Sequence, residues 1–217
     1  YVYKVINKIF IFLYILYLMT ADYIIIENFL NENEIVNILK CVHPENSRQG
    51  RYGDRVHMDK KIRLEYGLND KELLEVENKF EHLRNKLYKK FNVFGLYREK
   101  WKIGHYLGSN NGFYVEHRDN QSRIKHRDIS CICMLSNEDD YEGGELHFKE
   151  LKKEFRLKKG SAIFFNSNLL HGVKPVTKGE RFILLSFISS VESGLKKSDF
   201  QLSHFVNNEV VRKYLLP

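Results

Sequence analysis

Hydrophobic positions along this chain recur with two different periods, and the change falls near Trp101. Before it, apolar residues come at three- and four-residue spacing, the repeat of a helix with one buried face. Ile35, Ile38 and Leu39 follow Asn31, with Glu34 three residues after it. An asparagine cap answered by a glutamate is a capping box, so a helix is expected to start directly after Asn31. Leu73, Val76, Phe80, Leu83, Leu87 and Phe91 predict a second, longer helix, with Asn69 as its cap and Glu72 three residues on. His82 falls within this pattern and reads as a surface or packing residue. Tyr23 to Glu27 reads as a short strand. Residues 43–67 are polar and rich in Arg, Lys and Gly, which predicts a loop, with a strand at most around Lys61 to Leu64.

From Trp101 onward the repeat shortens. β-rich runs at 101–107, 113–117, 129–135, 145–149, 153–157, 161–165, 171–176 and 181–188 are separated by Gly, Asn and Asp clusters. They predict an all-β core of about eight strands preceded by helices. Residues 19–217 are expected to form a single domain. Ile9 to Met19 is an unbroken apolar run behind Lys4 and Lys8. It is short for a transmembrane span and closer to a signal-peptide core or an interfacial segment. Our reading takes Met19-Thr20-Ala21 as the natural start and 1–18 as translated upstream sequence. The expected compartment is the cytoplasm, with no stable membrane insertion and with a signal or anchor at 1–18 as the alternative; the localisation does not rest on this segment. The tail, 191–217, is mixed, with a helix expected near Val210 to Leu216.

Charge changes the picture little. The 217 residues carry a formal net charge of +7, which favours anionic partners but is also what a lysine-rich composition gives by default. The three cysteines, Cys41, Cys131 and Cys133, are too few and too uneven for a disulfide framework and fit a reducing compartment. Cys131 and Cys133 share one face of an apolar strand and read as buried thiols.

Candidate chemistry lies in a His-x-Asp spacing that occurs at His57-Met58-Asp59, His117-Arg118-Asp119 and His126-Arg127-Asp128. On a strand, residues two apart project to the same side, so each copy could aim both groups at one ion. Context separates them. His57 sits in a charged loop, and His126 runs straight into the apolar strand Ile129 to Leu135. His117 ends an aromatic strand and turns into the polar Asn120-Gln121-Ser122, which suits an open site. Two imidazoles and a carboxylate on one side of an ion are the ligands of a non-haem Fe(II) centre with open positions. The second imidazole must then come from another strand, and His171 follows the run Gly160 to Phe165 and the turn Asn166-Ser167-Asn168. A cation further on, Arg181, is what a dicarboxylate cosubstrate needs at its far end.

These residues resemble the Fe(II)/2-oxoglutarate-dependent dioxygenases, above all the prolyl 4-hydroxylase superfamily and its PKHD-type hydroxylases. The likeness is carried by Tyr106, Gly112-Phe113-Tyr114-Val115-Glu116-His117-Arg118-Asp119-Asn120, Arg127-Asp128-Ile129-Ser130 and Tyr141-Glu142-Gly143-Gly144-Glu145-Leu146. It continues through Lys159 to Phe165 and from His171 through Pro175-Val176 to Gly179-Glu180-Arg181. It covers residues 100–190; Asn28-Phe29-Leu30 with the capped helix also looks like the family's entry, and 43–95 show no match. The resemblance implies an α+β, mainly β fold: a double-stranded β-helix (jelly-roll) core with N-terminal helices packed on it. It implies that His117, Asp119 and His171 bind Fe(II), that Arg181 pairs with the distal carboxylate of 2-oxoglutarate, and that Tyr106 helps to hold it. The cofactors would be Fe(II), 2-oxoglutarate and O2, with ascorbate as candidate reductant. Met134 stands where some relatives carry a second cosubstrate-contacting tyrosine, and position 181 is Arg where collagen-type relatives carry Lys.

The expected reaction is hydroxylation of a prolyl or other side chain in a peptide or protein, yielding succinate and CO2. Gly143-Gly144 is expected to make a tight turn and Asn120 to support Asp119. A second reading is a nucleic-acid demethylase on the same scaffold, with Arg118, Arg123, Lys125 and Arg127 at the pocket mouth. A third is a non-catalytic β-helix binding module, against which the intact His117, Asp119, His171 and Arg181 argue.

Overall fold

The computed structural model describes residues 22–68, 73–93 and 97–190. The run Ile9 to Met19, the expected cap Asn69 and the tail 191–217 lie outside the described residues. Within them the chain runs β1 (Tyr23–Ile26), α1 (Glu32–Leu39), β2 (Ser47–Gln49), β3 (Leu64–Gly67), α2 (Leu74–Phe91), β4 (Tyr97–Arg98) and β5 (Lys102–Leu107). It continues with β6 (Tyr114–His117), β7 (Ile129–Met134), β8 (Tyr141–Gly143), β9 (Leu146–Phe148) and β10 (Lys153–Phe155), and ends with β11 (Ala162–Asn166), β12 (His171–Val173) and β13 (Val176–Ser189).

The strands form two antiparallel sheets. The larger has the order β1-β11-β7-β13-β5-β3-β2, with β4 and β8 also pairing with β13; the smaller has the order β10-β9-β12-β6. Side chains alternate across the larger sheet and both of its faces are buried, which is why its strands read as continuous apolar runs. Ile129, Cys131, Cys133, Phe164, Leu184 and Ile188 face the helices, where they join Ile35, Ile38, Val76, Phe80 and Leu87 in one core. Met134, Ile163, Phe165, Ile183, Leu185 and Phe187 join Leu146, Phe148 and Val173 of the smaller sheet in a second core. The space between the sheets is the inside of the jelly roll. The two thiols are buried on one strand face, as their spacing predicts.

The first helix starts as its sequence predicts. The Glu34 amide donates to Asn31 Oδ1 at 3.0 Å and the Asn31 amide donates to Glu34 Oε2 at 2.7 Å. Lys79 of α2 donates to the same Glu34 carboxylate at 2.6 Å and ties the helices together. The second helix begins after Leu73, which makes no side-chain cap, and ends on Asn92 in the left-handed region, φ 51°. His82 is exposed, and its Nδ1 lies 2.6 Å from the Asn78 carbonyl of its own helix.

Three expectations need correction. Residues 43–67 are not only a loop: β2 and β3 pair with each other and β3 pairs with β5, extending the larger sheet. The strand expected at Lys61 to Leu64 begins instead at Leu64. The run 171–176 stops at Val173, because Pro175 cannot donate to a ladder. The last strand starts at Val176 and pairs with β8 before it pairs with β5 and β7. That early pairing makes Tyr141–Gly143 a strand too short for alternation to reveal.

Candidate active site

Strands β6 and β12 are antiparallel neighbours with His117 directly opposite His171. Paired residues in a sheet point to the same side, so the two rings meet inside the roll with centroids 4.3 Å apart. Asp119 lies just past the end of β6, and its amide donates to the Ser167 carbonyl at 2.9 Å, pinning this loop to the turn before β12. His117 Nε2 is 3.3 Å from Asp119 Oδ1, and His171 Nε2 is 3.3 Å from Asp119 Oδ2. One ligand atom from each of the three residues lies within 4.8 Å of the other two.

Each imidazole is oriented by its own backbone. His117 Nδ1 lies 2.8 Å from the Val115 carbonyl and His171 Nδ1 lies 2.9 Å from the Leu169 carbonyl. A carbonyl only accepts, so both Nδ1 atoms carry the proton and both Nε2 atoms present a lone pair to the centre. Burial and the neighbouring His171 push the His117 pKa down despite Asp119, which keeps the ring neutral. Burial pushes the Asp119 carboxyl up, but the contacts with His171 and His117 outweigh it and hold the group well below the usual carboxylate range. Neutral imidazoles beside a carboxylate are the donor set a divalent cation takes.

Asp119 also accepts from Ser130 Oγ at 2.7 Å, and Ser130 Oγ lies 2.8 Å from Ser167 Oγ. Ser130 on β7 therefore does what the sequence assigns to Asn120, which sits in the turn beyond and makes no hydrogen bond to Asp119. Tyr114 stacks on His117 at 3.6 Å and 18°, and Phe165 meets His171 edge-on at 4.7 Å, so rings pack both ligand imidazoles in place.

Arg181 lies on β13 opposite Tyr106 of β5. Its guanidinium is over the Tyr106 ring at 5.2 Å and 6.0 Å from that of Tyr141. The residue is 1% exposed, and its Nε and Nη1 have no hydrogen-bond partner among the described residues. A desolvated cation with two idle donors is a seat for a carboxylate. Gly144 makes room for it: with φ +71°, a Cβ there would lie 2.8 Å from Arg181 Cδ. Gly143, at φ +76°, turns the chain where a Cβ would meet the Pro175 carbonyl at 2.2 Å, so the pair has the backbone role expected of it. Met134 is buried and accepts from the Tyr141 hydroxyl at 3.9 Å.

A cavity of about 790 Å³ opens over His117, Asp119 and His171, and Tyr106 and Tyr114 are in its wall. Arg181 is not among the residues of that wall; Tyr106, on which its guanidinium lies, is. Three further wall residues carry no signal in the sequence reading: Lys61, Arg63 and Glu65. Arg63 Nη1 donates to the Tyr106 hydroxyl at 3.2 Å, Lys61 Nζ donates to Glu65 Oε1 at 2.7 Å, and Arg63 pairs with the same carboxylate. The signal that could have found them is charge at alternate positions, 61, 63 and 65, on one face of an extended segment.

The other two His-x-Asp copies are structural. His57 and Asp59 are exposed and 4.0 Å apart. His126 bonds to Glu99 at 3.3 Å, while Asp128 accepts from the Ser190 amide at 2.6 Å. Of the expected basic mouth, Arg118 and Arg127 line the cavity, paired with Glu150 and Glu99, whereas Lys125 is exposed outside it. The side chain of Arg123 lies outside the described set. No helix among the described residues is long and apolar enough to cross a membrane.

Comparison with known proteins matches residues 101–189 to the family described as the 2OG-Fe(II) oxygenase superfamily. A PKHD-type hydroxylase of Synechococcus sp. is 44% identical over 81 residues, 36% of this chain and 36% of that protein. One from Sphingopyxis alaskensis is 39% identical over 89 residues, 40% of this chain and 39% of that protein. The chain thus aligns with well under half the length of these relatives. Among solved structures, a prolyl hydroxylase from Trichoplax adhaerens, in complex with a hypoxia inducible factor peptide fragment, superposes with a TM-score of 0.67 at 19% identity, covering 80% of this chain and 86% of that one. A prolyl-4-hydroxylase from Pseudomonas putida gives 0.61 at 15% identity, over 79% and 95%. These similarities establish the double-stranded β-helix fold.

Proposed function

We propose, proceeding from a chain whose residues 101–189 belong to the 2OG-Fe(II) oxygenase superfamily, that it is an Fe(II)- and 2-oxoglutarate-dependent dioxygenase hydroxylating a prolyl or other side chain of a peptide or protein. The observation that carries the reading is the pairing of two features inside one roll. One is the His117–Asp119–His171 cluster with both Nε2 lone pairs directed inward; the other is the buried Arg181 with two donors unpaired.

In this reading His117, Asp119 and His171 hold the metal from one side and leave the cavity side open to ligands. Bound Fe(II) with 2-oxoglutarate supplies the oxidising chemistry, one oxygen atom of O2 going to succinate, with release of CO2, and the other to the product. The chain's own residues bind, orient and exclude water. Ser130 holds the Asp119 carboxylate by its hydroxyl proton, the carbonyls of Val115 and Leu169 fix the protons on Nδ1, and the Phe165 and Phe148 rings keep the back of His171 dry. Arg181 pairs with the distal carboxylate of the cosubstrate, and Tyr106, whose ring lies 5.2 Å from that guanidinium, is in the cavity wall beside it. Peptide or protein as substrate is supported by the peptide fragment bound to the Trichoplax adhaerens prolyl hydroxylase, and an open cavity beside the cluster is compatible with an inserted side chain.

Succinate release from 2-oxoglutarate, with Fe(II), air and ascorbate as reductant, tests the reading. Wild type is expected to turn over, His117→Ala to be inactive, and proline-containing peptides to gain one oxygen. Absence of Fe(II)-dependent 2-oxoglutarate binding in the wild type would overturn it.

A further inference from the structure

The cavity carries more positive charge than the proposed cosubstrate can use. Lys61, Arg63 and Lys102 converge on a single carboxylate, Glu65, at 2.7 Å for Lys61 and 3.5 Å for Lys102, with Arg63 in direct contact. One carboxylate cannot balance all three: burial pushes the Lys61 pKa down to about 7 and that of Lys102 below its ordinary value, which relieves part of the excess, and Arg63 remains the fixed cation. The surplus is buried, with Lys61 4% and Arg63 7% exposed, and Arg63 keeps its Nε without a partner. At the rim, Arg48 and Arg51 line the same cavity, are exposed, and pair with no carboxylate among the described residues. Burying uncompensated cations is costly unless an anion comes to meet them.

We propose that this cluster is a second anion seat, separate from Arg181, and that the substrate of the proposed oxygenase is an acidic peptide segment whose Asp or Glu side chain docks on Arg63 beside the hydroxylated residue. The inference rests on the oxygenase reading for the word substrate; the anion seat itself does not. The Arg63 guanidinium is 5.8 Å from the Tyr114 ring, and that ring is stacked on His117, so an acid held by Arg63 would lie next to the metal cluster. Arg48 and Arg51 extend the positive field outward, along the path by which a peptide would enter. Arg63 is in the cavity wall, within reach of a carboxylate side chain that enters the cavity. The aromatic rings of the wall are already engaged by protein groups: Tyr114 is stacked on His117, Phe187 lies under Arg127 at 3.6 Å, Tyr106 lies 5.2 Å from the Arg181 guanidinium, and Tyr52 is edge-on to Tyr114.

The test uses protein loaded with Mn(II), which stops turnover, and 2-oxoglutarate. Fluorescence anisotropy is read with labelled acetyl-(Glu-Pro)3-amide, its Gln-Pro counterpart and a hexathymidylate. The Glu peptide is expected to bind at least about tenfold tighter than the Gln peptide, the weight of one charge-assisted hydrogen bond. That advantage should vanish in Arg63→Gln and shrink in the exposed double variant Arg48→Ser/Arg51→Ser, which poses no folding hazard. It should persist in Lys89→Ser/Lys90→Ser, whose charges lie on the far end of α2. Equal binding of both peptides, binding of neither, tighter binding of the oligonucleotide, or an advantage that survives both cavity variants would overturn the proposal. So would a loss of 2-oxoglutarate binding in Arg63→Gln, which would give the seat to the cosubstrate. A Glu preference in a wild type that binds no 2-oxoglutarate would instead keep the anion seat and sink the oxygenase reading.

Discussion

Replacing Arg181 by methionine separates what that side chain does for function from what it does for stability. Without a carboxylate in reach, the guanidinium is 1% exposed with Nε and Nη1 unpaired, and each unmet buried donor costs about 1–3 kcal/mol. The contact with the Tyr106 ring at 5.2 Å returns only about 1–2 kcal/mol. Methionine keeps most of the length and packing while removing the charge. The unliganded variant should therefore be as stable as wild type or more so, by up to about 5 kcal/mol, a Tm gain of up to about 10–20 °C for a chain of this size. The cosubstrate side moves the other way. Loss of a two-pronged, charge-assisted contact of about 2–4 kcal/mol raises the 2-oxoglutarate KM about 30- to 1000-fold. At a concentration that saturates wild type a hundredfold, 2-oxoglutarate stabilises it by about 2.7 kcal/mol, and the variant should show almost none of this. Thermal unfolding with Mn(II), with and without 2-oxoglutarate, reads both effects in one experiment, and succinate release gives the KM. A Tm several degrees below wild type without cosubstrate, or an undiminished 2-oxoglutarate shift, would refute the reasoning.

Three further outcomes are expected. Ser130→Ala removes the hydroxyl that donates to Asp119 at 2.7 Å and should weaken divalent metal binding about 10- to 100-fold in a Mn(II) titration; an unchanged Kd would contradict the role given to Ser130. Gly143→Ala places a Cβ 2.2 Å from the Pro175 carbonyl at φ +76°, so urea unfolding should show a loss of about 2–4 kcal/mol; a loss below about 1 kcal/mol would mean the turn relaxes freely. Burial pushes the Glu99 carboxyl up, but Arg127 and hydrogen bonds from His126 and Arg127 outweigh it and hold it at about 2, below the ordinary 4.5. A carboxylate with a depressed folded pKa contributes stability above its unfolded pKa and loses it as pH falls through its folded one. Glu99→Gln should therefore destabilise the protein at neutral pH, with the gap to wild type closing between about pH 4.5 and 2. Parallel stability curves across that range would count against the assignment.

Elements held by nearby residues were legible from the chain alone. The α1 capping box spans three residues, so Asn31 and Glu34 announce it without help from the rest of the fold. The apolar runs of β7, β11 and β13 are strands buried on both faces, and their composition follows from that burial. The close spacing of His117 and Asp119 was legible, although Asp119 lies in the turn just past β6 and not on the strand, and His171 follows from the need for a ligand on a second strand. The decoys at 57 and 126 were separated by what flanks them.

What the chain could not disclose is set by pairing over long sequence distances. The strand β3 exists because β5, far along the chain, offers a free edge, and its Glu65 meets Lys61 and Arg63 from the preceding segment and Lys102 from β5. Polar residues at 43–67 read as solvated loop by every local rule; only the fold shows that some of them are buried and line the cavity. Arg63 meets Tyr106 across 43 residues, and Ser130 rather than the adjacent Asn120 holds Asp119, because hydrogen bonds inside a roll are made between strands and not along them. Local periodicity and caps therefore determined which segments are helix or strand and which side chains could ligate. The register between strands and the desolvation of charges, which depend on the whole chain closing on itself, decided which groups surround the cavity.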